Sequence, residues 1–271
     1  MTMKNCTLVP LAILLMAVCS PALAVKDTIV FSAAPTESSD EVKAFNQPLL
    51  ALVAKASGKR VVMELASNYV EYTARMRQGA YDMVFDGPHF VSWRMEHLGH
   101  VPLVRLPGKI QIVVAVRDAD GVRAVDELAV GRRVCAFPSP NMLSMIFLTH
   151  FPNPARQPAL VPVNGLGGLT KCLREGRGDA AVLRQEPWEK LDKTGLRALD
   201  LPAHGYPERT ISISAEIEPE LRARIAAALV SDEGAQAGAQ LLKAFKHERF
   251  VPADPAEYAG MTELLAPLWG F

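Results

Sequence analysis

Residues Thr73–Phe85 read TARMRQGAYDMVF, and 97 residues later Thr170–Val182 read TKCLREGRGDAAV. Thr73/Thr170, Arg77/Arg174, Gly79/Gly176 and Asp82/Asp179 pair at that constant offset. Each copy has the pattern of an amphipathic helix, a glycine stop, a short turn and an apolar strand. A unit that recurs once at this distance points to two similar α/β lobes, because solenoid repeats are far shorter. Two lobes leave a cleft, and clefts between lobes bind small molecules. Helix–glycine–strand joints also arise by chance in any α/β chain, so the rest of the pattern has to agree.

It does. Thr28–Ser32 is a β-rich run, Ser38-Ser39-Asp40-Glu41 opens a capped helix that ends near Gly58, and Arg60–Leu65 is a strand. After strand Tyr81–Phe85, Gly87-Pro88 breaks the chain before helix His89–Leu98. Lys109–Arg117 is a β-branched strand long enough to cross between lobes. Asp126–Gly131 is a short helix, followed by strand Arg133–Phe137, helix Met142–His150, strand Ala159–Val163, the second repeat and helix Glu186–Leu191. Thr210–Ser214 would be the return crossing. Pro219 opens helix Glu220–Val230, and Tyr258–Leu265 is a last helix. Strands alternating with helices predict α/β layers. With two crossings, lobe 1 is 25–113 with 208–271 and lobe 2 is 114–207.

The N-terminus has the form of an export signal. Lys4 supplies the charge, Leu8–Val18 the apolar stretch and Pro21-Ala22-Leu23-Ala24 a small-x-small site, so residues 1–24 are expected to be removed after Ala24. Lipidation at Cys19 is the alternative, disfavoured by bulky Val18. No other apolar run approaches a membrane span, and a periplasmic location is expected. There Cys135 and Cys172 meet an oxidising environment. They could form a disulfide, although two buried free thiols are the plainer reading. Lys+Arg and Asp+Glu both number 29, a balance that argues against nucleic acid or an anionic membrane as main partner.

In open α/β sheets, ligands lie at the carboxyl ends of strands beside helix N-termini. That rule selects Ala33–Ser38, Asp86–Phe90, Pro138–Asn141 and Asn164–Gly168, whose Gly, Pro, Ser and Asn suit backbone N–H groups facing an anion. Pro35, Thr36, Gly87, Pro88 and His89 are candidate ligand contacts, although a solvated turn is the plainer reading of His89. His97 and His100 lie three apart without the further ligands a metal site needs, so neither a metal nor a cofactor is expected. No nucleophile elbow, HExxH motif or convincing carboxylate pair is present, and the chain is not expected to be an enzyme.

Phe31–Thr36, Ala66-Ser67-Asn68-Tyr69, Arg77–Asp82, Phe85-Asp86-Gly87-Pro88, Asp126–Gly131 and Phe250-Val251-Pro252-Ala253-Asp254 occur in an order that is fairly specific. In this the chain resembles the periplasmic solute-binding proteins of the phosphonate/phosphite/phosphate ABC-transporter family. The resemblance implies a type II periplasmic-binding fold that closes on a small anion and presents it to a membrane permease or a sensor. It also implies that Tyr69 lies near the cleft. Ser139 and Asn141 stand where relatives carry a Ser/Thr cluster, and Asn164-Gly165 where relatives carry a histidine. Arg184 replaces an acidic side chain that could meet a substrate amine, which favours a carboxylate or a second anionic group. A surface pair with Glu186 is the other reading of Arg184.

Capture of a phosphonate-, phosphite- or phosphate-like oxyanion or a carboxylate for an ABC transporter, by a monomer, is the leading expectation. The alternative is a ligand-sensing subunit for a membrane histidine kinase. Some relatives sense arsenite, and Cys135 would then be a thiol contact. An enzyme on the same fold is the weaker alternative.

Overall fold

The computed structural model describes residues 26–35, 39–201 and 204–268. The export segment, its cleavage point after Ala24, and Thr36 lie outside the described residues.

The two sequence repeats adopt the same local structure for the same physical reasons. Thr73 and Thr170 each turn the hydroxyl back onto their own helix, Thr73 to the Tyr69 and Val70 carbonyls and Thr170 to those of Leu166 and Gly167. Gly79 and Gly176 end the helices at φ 68° and 69°, a left-handed conformation that glycine adopts without a Cβ penalty. Asp82 accepts from the Val30 N–H at 2.7 Å, and Asp179 from the Arg133 N–H at 2.8 Å. In each copy the aspartate thereby pins the incoming strand to its parallel neighbour.

Around each repeat stands a sheet of matching plan. The first runs, edge to edge, Val251–Pro252, Val101–Arg105, Thr210–Ile213, Met83–Asp86, Thr28–Ala33, Arg60–Met63. The second runs Leu196–Ala198, Ile112–Arg117, Ala180–Arg184, Arg133–Ala136, Ala159–Pro162. Each has parallel strands at one end and one antiparallel strand arriving from the other lobe: Thr210–Ile213 in the first sheet, Ile112–Arg117 in the second. Between them, Lys109–Ile110 pairs with Tyr206–Pro207 as a two-stranded hinge.

The expected crossing strand Lys109–Arg117 is therefore divided at Gln111, and the return passes at Tyr206–Pro207, just before Thr210. Strand Val101–Arg105 was not anticipated from the sequence. Its Pro102 lacks an N–H, and the register with Thr210–Ile213 slips between Ile211 and Ser212, the residue opposite. The expected C-terminal helix is instead two short 3₁₀ turns, Pro255–Tyr258 and Met261–Leu264, parted by Gly260 at φ 73°.

Helices Ser39–Ser57 and Pro219–Val230 cover one face of the first sheet over a core that includes Ile29, Phe31, Leu49, Ile211 and Ile225. Helix Gly165–Arg174 packs on one face of the second sheet through Leu169 and Leu173. On that face Cys135 and Cys172 form a disulfide with Cα atoms 6.1 Å apart. Of the sequence-based expectations the disulfide holds and two others are corrected: these are not free thiols, and Cys135, fully buried and oxidised, offers no thiolate to a ligand.

Candidate ligand-binding cleft

A cavity of about 180 Å³ opens where the two lobes meet above the hinge. Ala34, Tyr69, the turn Gly87–Phe90 and Phe245 form its first-lobe wall. Phe137 and Pro140–Leu143 form the second-lobe wall, and Ile110, Arg184, Glu208 and Arg209 the floor. A larger hollow of about 500 Å³ lies along Gln111–Val113, His150 and Asp200–Leu201. That hollow is away from the strand-end turns, so the smaller cavity is the better candidate.

Local chemistry shapes the first-lobe wall. Gly87 caps helix Pro88–Leu98 with its carbonyl accepting from Phe90 and Val91, and Pro88 takes the first helical position, where no donor is lost. A Cβ on Gly87 would lie 2.7 Å from His89 Cε1, so only glycine lets the imidazole fold back against the turn. Asn68 caps helix Tyr69–Arg77 by accepting from the Glu71 N–H, and the Tyr69 ring stacks on Phe90 with centroids 6.2 Å apart. Behind the turn, Asp86 accepts from the Tyr72 hydroxyl at 2.5 Å and from Arg94 Nε at 3.1 Å. All three side chains are buried, and burial followed by the Asp86 charge holds the Tyr72 phenol protonated, its pKa raised well above the ordinary value. The turn therefore rests on a fixed polar cluster.

His89 reaches across to the other lobe. Its Nε2 lies 3.2 Å from the Pro140 carbonyl. A carbonyl only accepts, so Nε2 carries the proton and Nδ1 keeps a bare lone pair. Nδ1 is buried with no partner among the described residues. Burial pushes the His89 pKa down to about 3, the Arg209 charge adding to it and the Pro140 bond opposing it. The ring is neutral at physiological pH.

On the floor, Arg184 ends strand Ala180–Arg184 and Glu208 follows the hinge pair; the two form an ion pair between the lobes. Glu208 is 3% exposed, so the arginine compensates a carboxylate that water does not reach. The partner of Arg184 is thus Glu208, whereas Glu186 pairs with Lys190 and Lys246. The Arg209 guanidinium lies over the Phe245 and Phe85 rings at 5.1 and 5.9 Å.

Of the residues singled out from sequence, Tyr69, Gly87, Pro88, His89, Asn141 and Arg184 line this cavity. Asn141 also caps helix Met142–Leu148 by accepting from Leu143 N–H at 3.0 Å. Pro35 follows Ala34 at the rim without lining the cavity, and Asn164-Gly165 stand apart at the exposed start of helix Gly165–Arg174. Ser139 lines a different hollow, beside Met145 and Leu264. Ile110, Phe137, Glu208, Arg209 and Phe245 also line the cavity, though none was expected there from sequence. Only Glu208-Arg209 left a signal, as a charged pair directly before the uncharged strand TISI.

A family model described as ABC transporter, phosphonate, periplasmic substrate-binding protein matches residues 31–258. The chain belongs to this family. The phosphate-import protein PhnD of Mycolicibacterium smegmatis is 29% identical over 117 residues, and this match spans 40% of the chain but only 36% of that relative. Among solved structures, XAC2383 from Xanthomonas citri bound to ATP superposes with a TM-score of 0.70 at 15% identity, covering 89% of this chain and 96% of that one. PhnD1 from Prochlorococcus marinus in complex with methylphosphonate gives 0.64 at 15% identity, covering 89% and 98%. The binding component PA3383 of a Pseudomonas aeruginosa phosphonate transporter gives 0.59 at 14%, covering 88% and 85%. These likenesses are of fold, and the fold is the two-lobed α/β architecture of type II periplasmic binding proteins.

Proposed function

We propose that this protein is exported, captures a small anion in the cleft without chemical change, and hands it to a membrane ABC permease. The ligand is a phosphonate-, phosphite- or phosphate-like oxyanion or a carboxylate. The observation that carries this reading is the convergence of the Gly87–Phe90 turn, the Pro140–Asn141 turn and two arginines on one hinge-spanning cavity. Family membership and the methylphosphonate held by the Prochlorococcus relative support the same class of ligand. Tyr69, His89, Asn141 and Arg184 are the contacts it uses. The moving parts are residues 25–113 with 208–271 and residues 114–207, and the working unit is a monomer. Removal of residues 1–24 would deliver it to the periplasm, which an N-terminal mass measurement of the exported protein would test.

Calorimetric titration with phosphate, phosphite, methylphosphonate and small carboxylates provides the functional test. Saturable binding of at least one anion, with a change in tryptophan emission, is expected. Silence across that panel would overturn the reading. No observation favours the sensory alternative that relied on sulfur, since Cys135 is oxidised and buried.

A further inference from the structure

Among the described residues, the cavity lining holds one buried side-chain polar atom without a hydrogen-bond partner. His89 is 3% exposed and lines the cavity, its Nε2–H is committed to Pro140, and its Nδ1 lone pair has no partner among the described residues. A buried acceptor left unanswered costs free energy that a bound group can recover. Gly87 stands beside that atom without a side chain: a Cβ there would come within 3.0 Å of Nδ1, so any other residue would cover the acceptor. The charge of the cavity points the same way. Among its lining residues, Arg184 and Arg209 stand against Glu208, a single net positive charge with a neutral imidazole. A monoanion balances that charge, whereas a dianion exceeds it.

We propose that the cleft selects the singly protonated form of a tetrahedral oxyanion, whose P–O–H donates its hydrogen bond to His89 Nδ1. The proposal rests on the anion-binding reading above and adds the protonation state of the ligand. His89 is then the specificity-determining residue, because a fully deprotonated dianion would turn oxygen lone pairs toward a nitrogen lone pair.

Titratable groups around the same cavity are Arg209 and Glu208 from the hinge segment, Arg184 from the second lobe and the Tyr69 phenol. His89 itself stays neutral throughout the range in which a phosphonate loses its second proton. The pH profile therefore reports the ligand.

The test is calorimetric titration of the whole protein with methylphosphonate from below to above that ligand's second pKa. Methanesulfonate serves as a probe of the same shape and single charge, without a proton to donate. Methylphosphonate affinity should fall about tenfold per pH unit above the second pKa. Below it, methylphosphonate should bind at least about tenfold more tightly than methanesulfonate. His89→Phe should bring the two probes to within a few-fold of each other. Equal affinity of the native protein for both probes, or methylphosphonate affinity flat or rising through its second pKa, would overturn the inference alone. Methylphosphonate failing to bind at any pH would overturn the phosphonate reading together with it. The native-protein comparison does not depend on the variant folding.

Discussion

Arg184 and Glu208 show how a single pair can serve both the fold and the site. The carboxylate is nearly water-free, so removing the arginine alone would leave a buried charge unanswered. Arg184→Met is expected to lower stability by about 2–4 kcal/mol. Glu208→Met should cost less, because Arg184 keeps some access to water, and the double substitution should recover most of the loss. Urea unfolding of the four proteins gives the coupling directly, and additive effects would show that the pair is not a unit. Anion affinity should fall in both variants that lack Arg184, including the double variant with restored stability, which separates binding from folding.

At the scale of elements, the second lobe is held by a covalent link that the first does not share. Cys135 lies on a parallel strand and Cys172 on the helix above it, and the bond joins positions separated by 37 in sequence. Gly178 makes room for this link, since a Cβ there would lie 2.5 Å from Cys135 Sγ. In the repeat, Arg75 of the first lobe occupies the place of Cys172, so no equivalent bond is available there. Closing a loop of this size restricts the unfolded chain by about 3–4 kcal/mol. Cys135→Ala with Cys172→Ala, or reduction of the native protein, should lower unfolding stability by about 3 kcal/mol. Denaturant melts with and without reductant would measure it, and identical midpoints would contradict the assignment.

Across the whole molecule, the lobes share more than the hinge. One apolar cluster runs from Phe90 and Trp93 of the first lobe to Leu143 and Phe147 of the second, and takes in Met261, Leu264 and Leu265 of the C-terminal turns. Global stability also carries the imprint of two buried histidines. Burial drives the pKa values of His89 and His100 down to about 3, helped at His100 by the Arg94 charge. Both are neutral when folded and ordinary when unfolded, so between about 6.5 and 3 the unfolded chain binds more protons. Their contribution is complete above pH 6.5 and is lost progressively as pH falls toward about 3. Urea midpoints at pH 7.0, 5.5 and 4.5 should fall steeply, and His100→Gln should flatten the slope. An unchanged slope would show that His100 is not buried neutral.

What the sequence determined by itself was everything written between near neighbours. Threonine back-bonds, left-handed glycines and strand-pinning aspartates act within one helix–turn–strand unit, so two copies 97 residues apart pointed to two related lobes, while glycine, proline and asparagine at strand ends marked the turns Asp86–Phe90 and Pro138–Asn141. Those same local signals did not mark Val101–Arg105, a strand that pairs on both sides despite Pro102. The tertiary structure alone decided which distant residues meet: Arg184 with Glu208 rather than Glu186, Cys135 with Cys172, and Phe245 beside the Gly87 turn. Those contacts depend on the path of the chain through two hinge crossings, and propensity and periodicity hold no record of that path.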